Sequence, residues 1–186
     1  MGWIALGAGV VAAAFVWWTY NRIVARRNAV DSSWAQIDVQ LRKRHDLIPP
    51  LVEAVRGYAA HERGTLVEAT EARAAAQAAQ RIPARADAER KLGQAAANVL
   101  AVGENYPQLE ASTNFSQLAA QLRELEDQIV ITRRVYNDTV ETYNTLIQQF
   151  PALLVARLFG FGAREFFDAP ASAEATPDVD LSGTRE

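Results

Sequence analysis

Apolar and polar positions alternate along this chain with four distinct rhythms, and each rhythm predicts an element. Residues 3–20 read Trp-Ile-Ala-Leu-Gly-Ala-Gly-Val-Val-Ala-Ala-Ala-Phe-Val-Trp-Trp-Thr-Tyr and hold no charged side chain. At a rise of about 1.5 Å per residue, such a run is long enough to cross the hydrocarbon core of a bilayer. Beyond it, Ile23, Val30, Trp34, Ile37, Leu41 and Ile48 recur at steps of three, four and seven, the stripe of a helix that buries one face. Pro49-Pro50 interrupts the stripe. Proline lacks the backbone N–H and disfavours helix in the residue before it, so a turn or sharp kink is expected there. Leu51, Val55, Tyr58 and Leu66 open a second helical pattern, which fades into alanine-rich sequence around 72–79.

Pro83 suits the first turn of a third helix over 84–102, with Leu92, Ala96, Val99 and Leu100 on one side. Its small side chains permit close approach to the second helix. Gly103 is expected as its C-cap, and 105–112, holding Pro107, as a loop. The fourth helix has the clearest rhythm. Phe115, Leu118, Leu122, Leu125, Ile129, Thr132, Tyr136, Val140, Tyr143 and Ile147 alternate three- and four-residue steps, the seam of a coiled coil or bundle. No stretch alternates with period two, so no sheet is expected. The fold class is therefore all-α. An N-terminal transmembrane helix (1–21) continues into a long-helix antiparallel four-helix bundle (22–149). A short amphipathic segment (150–168) and a disordered acidic tail (169–186) follow.

Four passes joined by short loops favour an up-down-up-down order, which returns the end of the fourth helix to the membrane surface. There the chain reads Phe-Pro-Ala-Leu-Leu-Val-Ala-Arg-Leu-Phe-Gly-Phe-Gly-Ala-Arg-Glu-Phe-Phe over 150–167. It is too short and too broken by glycine to span. Two roles remain open for it: capping the open end of the bundle, or lying in the lipid interface.

The ends of the apolar run sharpen its reading. Trp3 stands at one end and Trp17, Trp18 and Tyr20 at the other, where amphipathic rings settle at the two water interfaces. A cleaved signal and a buried helix of a soluble fold are alternatives. An uncleaved anchor is favoured, because bulky rings occupy the positions where a cleavage site needs small residues. Arg22, Arg26 and Arg27 follow the run, and basic flanks stay cytoplasmic. The bulk of the chain is thus expected in the cytoplasm, with the short N-terminal tail outside. Arg157, Phe159 and Phe161 join these rings and arginines as candidate membrane-interface residues.

Charge and composition remove other classes. The net charge is −3 over 186 residues, and the stretch 168–186 holds five acids against Arg185 alone. The remainder is close to neutral, without the concentrated basic face a nucleic-acid binder shows. There is no cysteine, which excludes disulfides, thiol nucleophiles and thiolate metal sites. His45 and His61 are each followed by an acid. With a reversal at Pro49-Pro50, His45 would lie level with Glu53 or Ala54 and away from His61, so no metal site is expected; His45 and Asp46 would instead complement a helix end. Gly7 and Gly9 fall within the apolar run and form no phosphate loop. No catalytic, cofactor-binding or metal-ligating residue is expected.

Tyr136-Asn137 and Tyr143-Asn144 repeat at a spacing of seven. They suit either a polar groove for a ligand or, the favoured reading, hydrogen-bonding groups that fix helix register. Arg133 and Arg134 are expected to pair with acids on neighbouring helices, such as Asp38 or Glu68.

Several motifs, in order, resemble the LemA family of bacterial membrane proteins. They are Tyr20-Asn21 with the following arginines, Val30-Asp31, residues 34–41, Arg42-Lys43-Arg44 with His45-Asp46-Leu47-Ile48-Pro49, Gly57-Tyr58-Ala59-Ala60-His61-Glu62, Glu71-Ala72-Arg73 and Tyr106-Pro107. In the fourth helix they are Phe115, Leu118, Leu122, Glu126, Ile129, Arg133, Arg134 and the two Tyr-Asn pairs; Phe150-Pro151 and Leu158-Phe159-Gly160-Phe161 complete the set. Pro50 stands where the family pattern has a polar residue. The resemblance implies an anchored helical bundle in the bacterial cytoplasmic membrane, with no reaction or cofactor. The wider family includes magnetosome membrane-forming proteins, which implies membrane organisation. The expected function is a non-catalytic scaffold or interaction protein; the alternative is an adaptor that regulates one membrane enzyme, such as a protease. Its expected partners are the lipid bilayer and either further copies of itself or other membrane proteins.

Overall fold

A computed structural model describes residues 2–59 and 62–167 of the chain. Among these residues the regular structure is all helical, in the order α1 (Gly2–Arg56), α2 (Arg63–Ala78), α3 (Ile82–Glu104), α4 (Pro107–Glu110), α5 (Thr113–Gln148) and α6 (Ala152–Leu158). The acidic tail of 169–186 and His61 lie outside the described residues.

The 55 residues of α1 form one helix, at about 1.5 Å per residue roughly 80 Å long. Its first part is long and apolar enough to cross a membrane and packs against almost nothing. The rest buries the expected stripe: Ile23, Val30, Ile37, Leu41 and Ile48. The expected break at Pro49-Pro50 does not occur, since both prolines lie inside α1. Pro49 deprives the His45 carbonyl of its helical donor, and Arg73 of α2 replaces that donor, its Nε lying 2.7 Å from the carbonyl oxygen. The chain turns instead after Arg56, where the Tyr58 and Ala59 amides both donate to the Val55 carbonyl at 3.0 Å. Leu51 and Val55 therefore belong to the first helix.

Two contacts fix the direction of α5. Trp34 meets Tyr136, with ring centroids 5.4 Å apart, and Arg44 meets Glu126 at 2.9 Å. Ten residues forward on α1 match ten back on α5, so the two run antiparallel, and the same register sets Tyr20 opposite Phe150. The core has two halves. In the half far from the apolar run, Ile48, Leu51 and Val55 pack with Leu66 and Ala69 of α2, Leu92, Ala96 and Val99 of α3, and Phe115 and Leu122 of α5. In the near half α2 no longer flanks the pair, and only the first turns of α3 reach it, through Ile82 and Ala86. There Ile23, Val30 and Ile37 pack with Tyr136, Val140, Tyr143 and Ile147 of α5, with Ala152 and Val155 of α6, and with Phe167. Four long helices thus surround only the far half.

Gly103 lies inside α3, buried, rather than capping it. A Cβ on Gly103 would come within 2.2 Å of the Phe115 ring, so glycine is there for close packing. The loop of 105–112 winds into the single turn α4 after Tyr106.

Candidate functional site

The near end of the α1–α5 pair is closed by the chain's own C-terminal segment. α6 ends in a Schellman turn. The Phe161 amide donates to the Ala156 carbonyl at 2.9 Å, the Gly160 amide to Arg157 at 3.4 Å, and Gly160 takes the left-handed φ of +72° that only glycine adopts freely. The following residues form a strap without helix, running back along α5.

The two Tyr-Asn pairs grip this strap by its backbone. The Asn144 side chain donates to the Arg164 carbonyl at 2.9 Å and accepts from the Arg164 amide at 2.8 Å. Seven residues earlier, Asn137 does the same to Phe167, at 2.7 and 2.9 Å. The hydroxyls of Tyr143 and Tyr136 donate to the Gly162 and Glu165 carbonyls at 3.0 and 2.8 Å. Seven helical residues rise about 10.5 Å and three extended residues about 10 Å, so both rungs of the ladder engage together. Burial pushes the Tyr136 phenol up to about 12, against the opposing pull of Arg164; burial likewise raises Tyr143, again against Arg164. Both hydroxyls stay protonated donors at any physiological pH. Sequence spacing singled out these four residues, and the structure assigns their partner as backbone of residues 162–167. Side chains add two further ties: Arg164 to Asp31 at 2.9 Å and Glu165 to Arg81 at 3.5 Å. Phe167 is buried beside Trp34.

The candidate interface residues gather at the same end. Tyr20 packs edge-on against Phe159, with centroids 4.9 Å apart, and lies 5.6 Å from Phe161. Trp3, Trp17 and Trp18 are exposed on the apolar run. The Arg22 guanidinium lies 5.5 Å over the Trp18 ring. Arg26 and Arg27 are exposed, as is Arg157 in the last turn of α6. α6 has two faces. Ala152, Val155 and Ala156 are buried against α1 and α5, which caps the end; Phe150, Leu154, Leu158 and Phe159 face outward, with Phe150 80% and Leu158 74% exposed. Phe161 is turned inward against the core.

A second constellation escaped the sequence reading. Arg44, His45 and Glu89 are buried together. Glu89 accepts from Arg44 Nη2 at 2.6 Å and lies 2.8 Å from His45 Nε2, while Arg44 Nη1 donates to both Glu126 oxygens at 2.9 Å. Burial alone would raise the Glu89 carboxyl; the bonds from His45 and Arg44 outweigh it and hold the group below its ordinary value. Gly93 leaves room for this, since a Cβ there would sit 3.1 Å from Arg44 Nη1. His45 therefore joins α1 to α3 and does not cap a helix end. Asp38 is held by Arg85 of α3 and by Arg42. The signal was present: Glu89 falls on the Ala86–Leu92–Ala96 stripe, where an acid is buried only if paired. Among the described residues, no three His, Asp or Glu side chains cluster as a metal site requires.

Part of the chain is similar in sequence to known proteins. Over 87 residues the chain is 31% identical to magnetosome protein MamQ 2 of Paramagnetospirillum magneticum, covering 47% of this chain and 32% of that one. It is 27% identical over 90 residues to magnetosome protein MamQ of Magnetospirillum gryphiswaldense, covering 47% and 33%. The chain thus spans about a third of the length of these relatives. The match to the LemA family extends over residues 33–181, which takes in the far part of α1, the α2–α3 hairpin, α5 with its two Tyr-Asn pairs, α6 and the strap, and the chain belongs to the LemA family.

Proposed function

We propose that this protein is a non-catalytic, membrane-anchored scaffold whose bundle stands at the cytoplasmic face of a bacterial inner membrane, where copies of it associate and organise the bilayer around them. The observation that carries this reading is the double contact at one level. One unbroken helix leads from the apolar run into the bundle, and the outward stripe Phe150, Leu154, Leu158 and Phe159 comes back beside the end of that run. Side chains of this size each favour an apolar surrounding by about 1.5–3 kcal/mol when fully buried. The headgroup boundary offers that surrounding to α6 as it does to an interfacial helix. An anchor that crosses the bilayer and a second element that lies along it couple the bundle to the orientation and curvature of the membrane. The likeness to magnetosome proteins agrees with a role in shaping or ordering membrane.

Crosslinking in intact cells, read with the native mass of the detergent-extracted chain, tests the proposal. Ordered homo-oligomers, and vesicles deformed by the reconstituted protein, are expected. A monomer that leaves vesicles unchanged and is captured in a fixed ratio with one membrane enzyme would overturn it.

A further inference from the structure

Below the end of the apolar run, α1 and α5 frame a pocket of about 320 Å³ lined by Arg22, Arg26, Glu141, Thr142, Thr145, Leu146 and Gln149. We infer that it is a binding site for the phosphate of a membrane phospholipid headgroup, seated between Arg22 and Arg26.

Position, charge and shape support this. Arg22 lies two residues beyond Tyr20 and Arg26 one turn further, so the pair is at the depth where headgroup phosphates meet a span bounded by Trp17, Trp18 and Tyr20. Neither arginine forms an ion pair among the described residues. Arg22 is instead stacked on Trp18 at 5.5 Å, which leaves its N–H edge free for the paired hydrogen bonds a guanidinium gives a phosphate. The end of α5 does not use up this charge, because the Gln149 amide already serves the Thr145 and Leu146 carbonyls and the Leu153 amide serves Gln149. Gln149 and Thr145 add polar groups to the wall, and Leu146 an apolar floor. Glu141, at the far end, accepts the amine or hydroxyl donors that a headgroup carries beyond its phosphate. Arg27 lies about 100° further round α1 than Arg26 and does not line the pocket.

The test uses the full chain in nanodiscs of phosphatidylglycerol and phosphatidylethanolamine, released into native mass spectrometry. Wild type is expected to retain one phospholipid per chain. The double variant Arg22→Gln with Arg26→Gln, and Thr145→Trp, which fills the pocket without removing an arginine, are each expected to lower the retained fraction at least tenfold. Arg27→Gln is expected to leave it unchanged. Equal losses in Arg27→Gln and the double variant, or undiminished retention in Thr145→Trp, would overturn the site. Displacement of the lipid by millimolar inorganic phosphate would overturn the assignment to lipid. The inference rests on residues 3–20 crossing the bilayer, and alkaline carbonate extraction of the reconstituted chain separates the two failures. A chain that is extracted overturns the span, whereas a chain that stays but retains no lipid overturns only the site.

Discussion

At Glu89, burial and charge oppose each other at a single carboxylate. Glu89→Ala leaves Arg44 and His45 buried beside an empty space, and truncating one member of a buried ion pair costs about 3–5 kcal/mol; a lowered melting temperature of the detergent-solubilised chain is the expected result. The sign of the pH dependence follows from the direction of the shift. The folded carboxyl lies below its ordinary 4.5, so its contribution is complete above that value and disappears as pH falls through the folded one. An acid titration of stability should show this limb in wild type and lose it in Glu89→Gln. Gly103 sets a second residue-level constraint. The methyl of Gly103→Ala would enter the Phe115 ring, and overpacking of this kind costs about 1–3 kcal/mol, read in the same melt.

Among the elements, α5 was the most legible in the sequence, because ten seam positions at three- and four-residue steps leave no other period to fit. The stripe of α1 was equally clear up to Ile48 and misleading at Pro49-Pro50. A proline pair predicts a break when only neighbouring residues are considered; the donor that removes the need for one comes from Arg73, on another helix. Arg73→Met should therefore leave the His45 carbonyl buried and unpaired, at about 1–3 kcal/mol. It should also raise hydrogen exchange across 50–56 more than in α5, and uniform exchange over both segments would refute the coupling. The Tyr-Asn repeat was visible too, but its partner was not, since a strap held by backbone atoms leaves no side-chain signature. The buried face of α6 accounts for the capping role that its sequence left open, and the outward face is the one an interfacial role would use.

As a whole the molecule is a narrow rod. From Tyr20 to Arg56, α1 rises about 50 Å, and α2 with most of α3 flanks only the far half. A dye at Gly57 of the otherwise cysteine-free chain, placed by a Gly57→Cys substitution, should report a distance of about 50 Å to acceptors in the headgroup layer. A value near half of that would mean that the rod lies down. The ladder along the near half makes strap length a counted quantity. Three strap residues answer seven helical ones, and the rungs hold backbone, so a residue inserted between Arg164 and Phe167 hands the Asn137 rung to the backbone of the residue before Phe167 and carries the Phe167 ring away from Trp34. Length changes between these two residues should accordingly lower the melting temperature as Phe167→Ala does, through the lost ring and not through the rungs.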